Sequence, residues 1–203
     1  MKRLVIIGAS GLGREAYAYA KACGIEVKGF LDSRGSLLDN KRGYPPILGS
    51  VENYSIAVGD VFVCAVGEVE SRRHYVAQIR AKGGAFISVV HPTALLGDNV
   101  KLGEGCIVRP YAVIGNDASL GDHVIVGVQA LVAHDCKIGD FVTISPGCHI
   151  AGWASLKDGV FMGIHSAVIP RVEIGTNVVV AAGAVVIGDV MAGRVMGVPA
   201  RAK

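Results

Sequence analysis

Long hydrophobic runs are missing from this chain. No stretch of about 18 apolar residues occurs among its 203, so no membrane-spanning helix is expected. Strong charge of one sign is missing too. The formal net charge is +3, aromatic residues make up 6%, and there is no basic run. A nucleic-acid binder needs a cationic stripe, commonly with aromatics for the bases, so that class is excluded. The opening Met1-Lys-Arg-Leu-Val-Ile-Ile-Gly8 is too short in apolar residues for a secretory leader and reads as a buried strand. Cysteines number five, an odd count. No disulfide framework is expected, and the chain is placed in a reducing cytoplasm.

Glycine, by contrast, is abundant: 28 residues, about twice average usage. Most of the excess follows a strict period. Every sixth residue from Leu96 to Val186 is aliphatic or Met, and two before each lies a small or β-branched residue such as Ala130, Cys136 or Cys148. A helix repeats every 3.6 residues and a strand every two, so neither alone gives a period of six. A ribbon of short strands coiled on itself does, with three units to a triangular turn and roughly five turns in all. Glycines 97, 103, 115, 121, 127, 139, 163 and 175 follow the inward aliphatic and suit its corners. Asp98, Asn116, Asp122 and Asp140 follow those glycines, as turn chemistry expects.

The first part of the chain alternates strand and helix. Strands are expected at Leu4–Ile7, Val27–Leu31 and Val61–Val66, with helices near Arg14–Cys23 and Glu70–Lys82. That pattern is a small Rossmann-like parallel α/β domain, in which ligands bind at the carboxyl ends of the strands. Those ends carry Gly8-Ala9-Ser10-Gly11-Leu12-Gly13-Arg14, Asp32-Ser33-Arg34 and Gly67. The glycine spacing is not that of the dinucleotide fingerprint, which disfavours an NAD oxidoreductase. Backbone N–H groups of a glycine-rich loop opening a helix can still hold a phosphate. Asp32 is a candidate for a ribose or a uracil edge. Residues 33–50 read as a mobile loop over that pocket. Two domains follow, 1–88 for a sugar nucleotide and 89–203 for the repeat.

Taken together, Ile7–Gly13, Gly29-Phe30-Leu31-Asp32, His134-Asp135, Gly163-Ile164 and the ending Gly197-Val198-Pro199-Ala200-Arg201 carry a resemblance. The chain resembles the sialic acid O-acetyltransferase family of hexapeptide-repeat sugar acyltransferases. Within it, the chain is most similar to the UDP-4-amino-sugar N-acetyltransferases of the bacillosamine type. The resemblance implies a left-handed parallel β-helix, a homotrimer with active sites between subunits, acetyl-CoA as co-substrate and a nucleotide-linked amino-deoxy sugar as acceptor. It implies His134 as general base. Asp135, or a carboxylate from another coil or subunit, would orient it. Spacing adds that His134 lies two residues beyond inward Val132, at a corner. None of His123, His134, His149 and His165 takes an inward slot.

The resemblance also implies that the Gly152 N–H faces the thioester carbonyl and that the pantetheine arm lies along Gly163-Ile164 and Ala182-Gly183. Val198 and Pro199 belong to the closing motif, and Arg201 and Lys203 would meet coenzyme A phosphates. Thr143, counted with the coenzyme A residues, stands where the bacillosamine enzyme has a second histidine. Ala133 stands where relatives carry an acid. No covalent acyl-enzyme is expected, since Cys136 faces inward. Three readings compete with N-transfer: O-acetylation of sialic acid or another sugar hydroxyl, a non-enzymatic nucleotide-sugar binding or scaffold protein, and a zinc hydro-lyase. The last is disfavoured because the close histidine pair it needs is absent.

Overall fold

The computed structural model describes residues 2–197. They cluster into two compact units: residues up to 92 with 104–107, and 93–103 with the residues from 108 on.

The first unit is built on β1 (Arg3–Ile7), α1 (Gly11–Ala22), β2 (Val27–Leu31), β3 (Asp60–Cys64), α2 (Val69–Ala81) and β4 (Ala85–Phe86). The strands pair in parallel in the order β2-β1-β3-β4, which is the expected α/β arrangement with one short strand added. β1 is central, and Leu4, Val5, Ile6 and Ile7 are buried on both faces. Chain order switches direction between β1 and β3, so the loops leaving these two strands part there and leave a crevice. Residues 33–50 are not a free flap. Phe30 N–H donates to Pro46 O at 2.9 Å, Leu48 N–H to Phe30 O at 2.8 Å, and Asp32 N–H to Gly49 O at 2.9 Å. This extends the sheet edge beyond β2. The approach is close enough that a Cβ on Gly29 would lie 2.6 Å from Pro46 O.

The second unit is a parallel β-solenoid of two-residue strands, eighteen residues to the turn: Ser119 pairs with Lys137, and Lys137 with Ser155. Period and pairing are those of the left-handed hexapeptide β-helix. One ladder, the polar face, holds Lys101–Leu102, Ser119–Leu120, Lys137–Ile138, Ser155–Leu156 and Glu173–Ile174. A second, the apolar face, holds Leu95–Leu96, Val113–Ile114, Leu131–Val132, His149–Ile150, Ala167–Val168 and Val185–Val186. The third runs through Ile125–Val126, Thr143–Ile144, Phe161–Met162, Val179–Val180 and Arg194–Val195. The apolar ladder is six strands deep, so the solenoid makes about six turns where about five were expected.

Both inward rows are buried from Cys106 to Val186. Leu96 and Leu102 belong to end rungs of their ladders and stay partly uncovered. Every sixth residue from Asn99 to Gly183 is left-handed. Glycine fills few of these positions. Asn99, Tyr111, Asp117, His123, Gln129, Asp135, Phe141, Trp153, His165, Arg171 and Asn177 turn the other corners at φ of +55° to +65°. The glycines that follow the inward aliphatics answer a different need, the tight approach of neighbouring coils. A Cβ on Gly115 would lie 2.6 Å from the backbone N of His134. The Asn and Asp residues likewise reach between coils: Asp98 N–H donates to Asn116 Oδ1, and Asp122 N–H to Asp140 Oδ1.

Candidate active site

His134 follows the apolar-face strand Leu131–Val132 and turns the chain toward the polar-face strand Lys137–Ile138. Its side chain is 50% exposed, so the imidazole faces solvent, not the packed interior. Nδ1 lies 2.8 Å from Asp135 Oδ2. The Nδ1–H donates to that carboxylate, which selects the tautomer with a bare Nε2, the form a general base requires. Asp135 is therefore placed beside the imidazole, as one of the sequence alternatives had it.

The ring lies over Gly152, one coil on. A Cβ there would sit 2.8 Å from Nε2, so only glycine lets the imidazole lie flat. The Gly152 N–H meets no acceptor among the described residues. Beside the imidazole stands Trp153, centroids 4.5 Å apart and planes at 89°, with the Arg171 guanidinium 4.4 Å from the indole centroid. Sequence reasoning missed Trp153 and Arg171. Adding one eighteen-residue turn to Asp135, and then another, would have found them.

The other histidines differ. His149 is exposed on the apolar face, and His165 is exposed at a corner against Gly147. His123 takes no inward slot and is nevertheless buried. It is 1% exposed and stacked on Phe141 at 5.0 Å, since the neighbouring coil places a large ring directly over that corner. Burial pushes the thiols of Cys136 and Cys148 up, as suits inert core groups.

A second feature of the solenoid is an apolar groove of about 420 Å³. Ser145, Pro146, Phe161, Gly163, Ile164 and Ala182 line it with residues of the third face. Gly163, Ile164 and Ala182, which the sequence reading grouped, thus share this groove. Gly183 turns the same corner without lining the groove, and Thr143 is buried on the third face outside it. Gly152 belongs with His134. Val198, Pro199, Arg201 and Lys203 lie outside the described residues. The groove sits on the corner that precedes the apolar strands, and His134 on the corner that follows them. Base and groove therefore flank opposite edges of one face.

In the first unit a cavity of about 230 Å³ opens at the ends of β1, β2 and β3. Of the residues singled out in the sequence, Gly8, Ser10, Asp32, Ser33, Arg34 and Gly67 line it, and Ala9, Gly11, Gly13 and Arg14 do not. Gly13 is structural: a Cβ on it would lie 1.9 Å from Gly8 O. Val51, Glu52, Ser71 and Tyr75 are further walls that the sequence did not reveal. Asp32 is already engaged within the chain. Its carboxylate accepts from Ala9 N–H, from Arg34 N–H and from two guanidinium nitrogens of Arg34. Burial pushes this carboxyl up, but Arg34 and the backbone N–H of Ala9 outweigh it and hold it below the usual carboxylate range. Asp32 thus orients Arg34, and the exposed guanidinium is the cation offered to the cavity. The Val66–Gly67 wall is held by Arg72, fully buried, whose Nη1 donates to both carbonyls. Burial lowers the Arg72 pKa to about 10.

Comparison with known proteins agrees with this construction. The PglD N-terminal domain family matches residues 3–79, and the bacterial transferase hexapeptide family (six repeats) matches residues 117–152. No curated protein sequence matches. Among solved structures, the acetyltransferase domain of PglB from Neisseria gonorrhoeae is 31% identical, over 94% of this chain and 93% of that one, at a TM-score of 0.86. The same domain has been solved with acetyl coenzyme A. A histidine-to-alanine variant of GDP-perosamine N-acetyltransferase from Caulobacter crescentus, with CoA and GDP-perosamine, is 29% identical over 100% and 97% of the two chains, TM-score 0.85. WeeI from Acinetobacter baumannii AYE is 26% identical over 99% of each, TM-score 0.86. These likenesses cover both units and define a hexapeptide-repeat acyltransferase. The chain belongs to the sugar N-acetyltransferases of the bacillosamine and perosamine type. No helix among the described residues is long and apolar enough to cross a membrane.

Proposed function

We propose that the chain transfers the acetyl group of acetyl-CoA directly to the amine of a nucleotide-linked amino-deoxy sugar, with His134 as general base. A UDP-4-amino-4,6-dideoxy sugar is the first acceptor to test, beside GDP-perosamine. The observation that carries this reading is the His134 corner. It combines a half-exposed imidazole, its Nδ1 committed to Asp135, and the open N–H of Gly152 next to it. The bound donors and acceptor of the relatives support it.

In the reaction the acceptor nitrogen attacks the thioester carbonyl as Nε2 takes its proton. Asp135 stabilises the imidazolium that forms. The Gly152 N–H meets the developing oxyanion, the kind of contact worth most when fixed in advance. Collapse of the tetrahedral species releases the coenzyme A thiolate, which the imidazolium can protonate. The apolar groove along Gly163, Ile164 and Ala182 suits a pantetheine arm. The cavity of the first unit suits the nucleotide, with Arg34 for its phosphates. In this reading residues 1–88 serve the sugar nucleotide and residues 89–203 the transfer.

Base and groove flank opposite edges of the apolar face, so one chain does not bring them together. Leu95, Val113, Leu131, Ala167 and Val185 point outward there, with Leu95 63% and Val185 59% exposed. Packing three such faces about a threefold axis covers that surface and sets the groove of one copy beside the base of the next. We infer a homotrimer with its active sites between subunits. The five free thiols suit a reducing compartment, and the cytoplasm is the proposed location.

The test is acetyl-CoA turnover on UDP-, GDP- and dTDP-linked 4-amino-6-deoxy sugars and free sialic acid, with wild type and His134→Gln. The expected result is turnover of one amino sugar, reduced by on the order of 10²–10⁴ in the variant. Turnover of sialic acid alone, or an unimpaired His134→Gln enzyme, overturns the proposal.

A further inference from the structure

We propose that Trp153 is a specificity-determining residue that holds the acceptor's sugar ring, its indole packing against the apolar C–H face of that ring. This rests on the reading of His134 as the base. Two backbone bonds fix the indole's place: Trp153 N–H donates to His134 O at 3.2 Å, and Arg171 N–H to Gly152 O at 3.1 Å. Asp135, Trp153 and Arg171 form one left-handed column, each eighteen residues from the last. Arg171 stacks on the indole and limits its rotation.

With imidazole and guanidinium both in place, Trp153 is still 48% exposed. Large apolar surface left wet is unfavourable, and here it lies where the acceptor must arrive. An amine hydrogen-bonded to Nε2 sits about 3 Å away. The indole centroid is 4.5 Å from that imidazole, close enough for the ring carbons next to the amine to meet it when the acceptor is held on the indole side. Among the described residues the other exposed aromatics are Tyr44 in the first unit and Tyr111 on a different corner. A sugar ring offers a patch of C–H groups to an aromatic face, and a 6-deoxy sugar adds a methyl where a hydroxymethyl would stand. That chemistry favours deoxy acceptors over their hydroxylated counterparts.

Trp153 is the chain's single tryptophan, so its emission reports this site alone. The wild-type protein is titrated with GDP-perosamine, a UDP-4-amino-4,6-dideoxyhexose, GDP and UDP. The expected result is a change in emission with a sugar nucleotide and none with the matching bare nucleotide. Trp153→Ala should weaken sugar-nucleotide binding about tenfold and leave bare-nucleotide binding, acetyl-CoA KM and the pH profile unchanged. Trp153→Phe should restore most of the loss. Emission that answers none of the four overturns the proposal. So does equal weakening of the bare nucleotide, a displaced pH profile, or a Trp153→Ala protein of altered mass by light scattering. His134→Gln separates the two readings. Silent emission in a protein that this variant inactivates removes Trp153 alone, whereas unimpaired His134→Gln turnover removes the base.

Discussion

Two corners of the solenoid solve the same problem differently. Where the chain leaves the polar face, the coil above supplies an acid that caps the backbone below. Asp122 N–H donates to Asp140 Oδ1 at 2.8 Å, and Asp140 N–H to Asp158 Oδ1 at 2.8 Å. Where it leaves the apolar face, the ladder starts in the same way, with Asp98 N–H on Asn116. Then it stops. The equivalent positions above are His134, Gly152 and Pro170, and none extends a carboxylate or amide oxygen to the coil beneath. Polar backbone left open costs free energy wherever water is excluded, so repeats normally cap it. The candidate site is the stretch where that rule is relaxed, and the Gly152 N–H is released for other work.

The faces differ as the corners do. Outward residues on one are Lys101, Ser119, Lys137, Ser155 and Glu173. On the other they are Leu95, Val113, Leu131, His149, Ala167 and Val185. Inside, the two are alike. Identical packing with opposite exteriors separates what holds a coil together from what the coil is for.

Substitutions can break each half of this contrast. The largest effect is expected from Leu131→Glu, a charge in the middle of the apolar row. The proposed trimer should dissociate by sedimentation, and turnover should fall on the order of a thousandfold or more, because base and donor groove would no longer be juxtaposed. Next comes Pro170→Asn, which restores to this corner the cap that Asn116 provides lower down. The new side chain should occupy the Gly152 N–H and lower kcat about a hundredfold, with little change in KM. Asp140→Ala removes a cap from the other corner. Urea unfolding should show a loss of about 1 kcal/mol, and turnover should be unchanged. Ser119→Glu puts the first variant's charge on the polar face. Mass and activity should both be retained, and stability should move by less than about 0.5 kcal/mol.

The solenoid was legible because each coil copies the one beneath, so a row of inward aliphatics in the sequence is a row in space. The α/β unit was legible from Gly8–Gly13 and the turn residues after β2 and β3. What escaped depended on neighbours one turn away or on local ion pairing. His123 reads as a surface corner until Phe141 is placed over it. Asp32 reads as a ligand group until Arg34 takes both its oxygens. Gly152 and the pair Gly163-Ile164 look like parts of one pocket in sequence, yet they flank opposite edges of the apolar face. Periodicity fixes which way a residue points, and it is silent about which exposed edge a second copy of the chain would meet.

The eighteen-residue turn also limits how such a chain can lengthen or shorten. An in-phase insertion of six or twelve residues rotates all later residues onto a different side of the prism, carrying the groove away from its edge. A whole extra turn keeps every side in phase and merely slides later features along the axis by one strand spacing, about 4.8 Å. Growth by duplicated turns would therefore preserve the walls while retuning the reach between one floor and another.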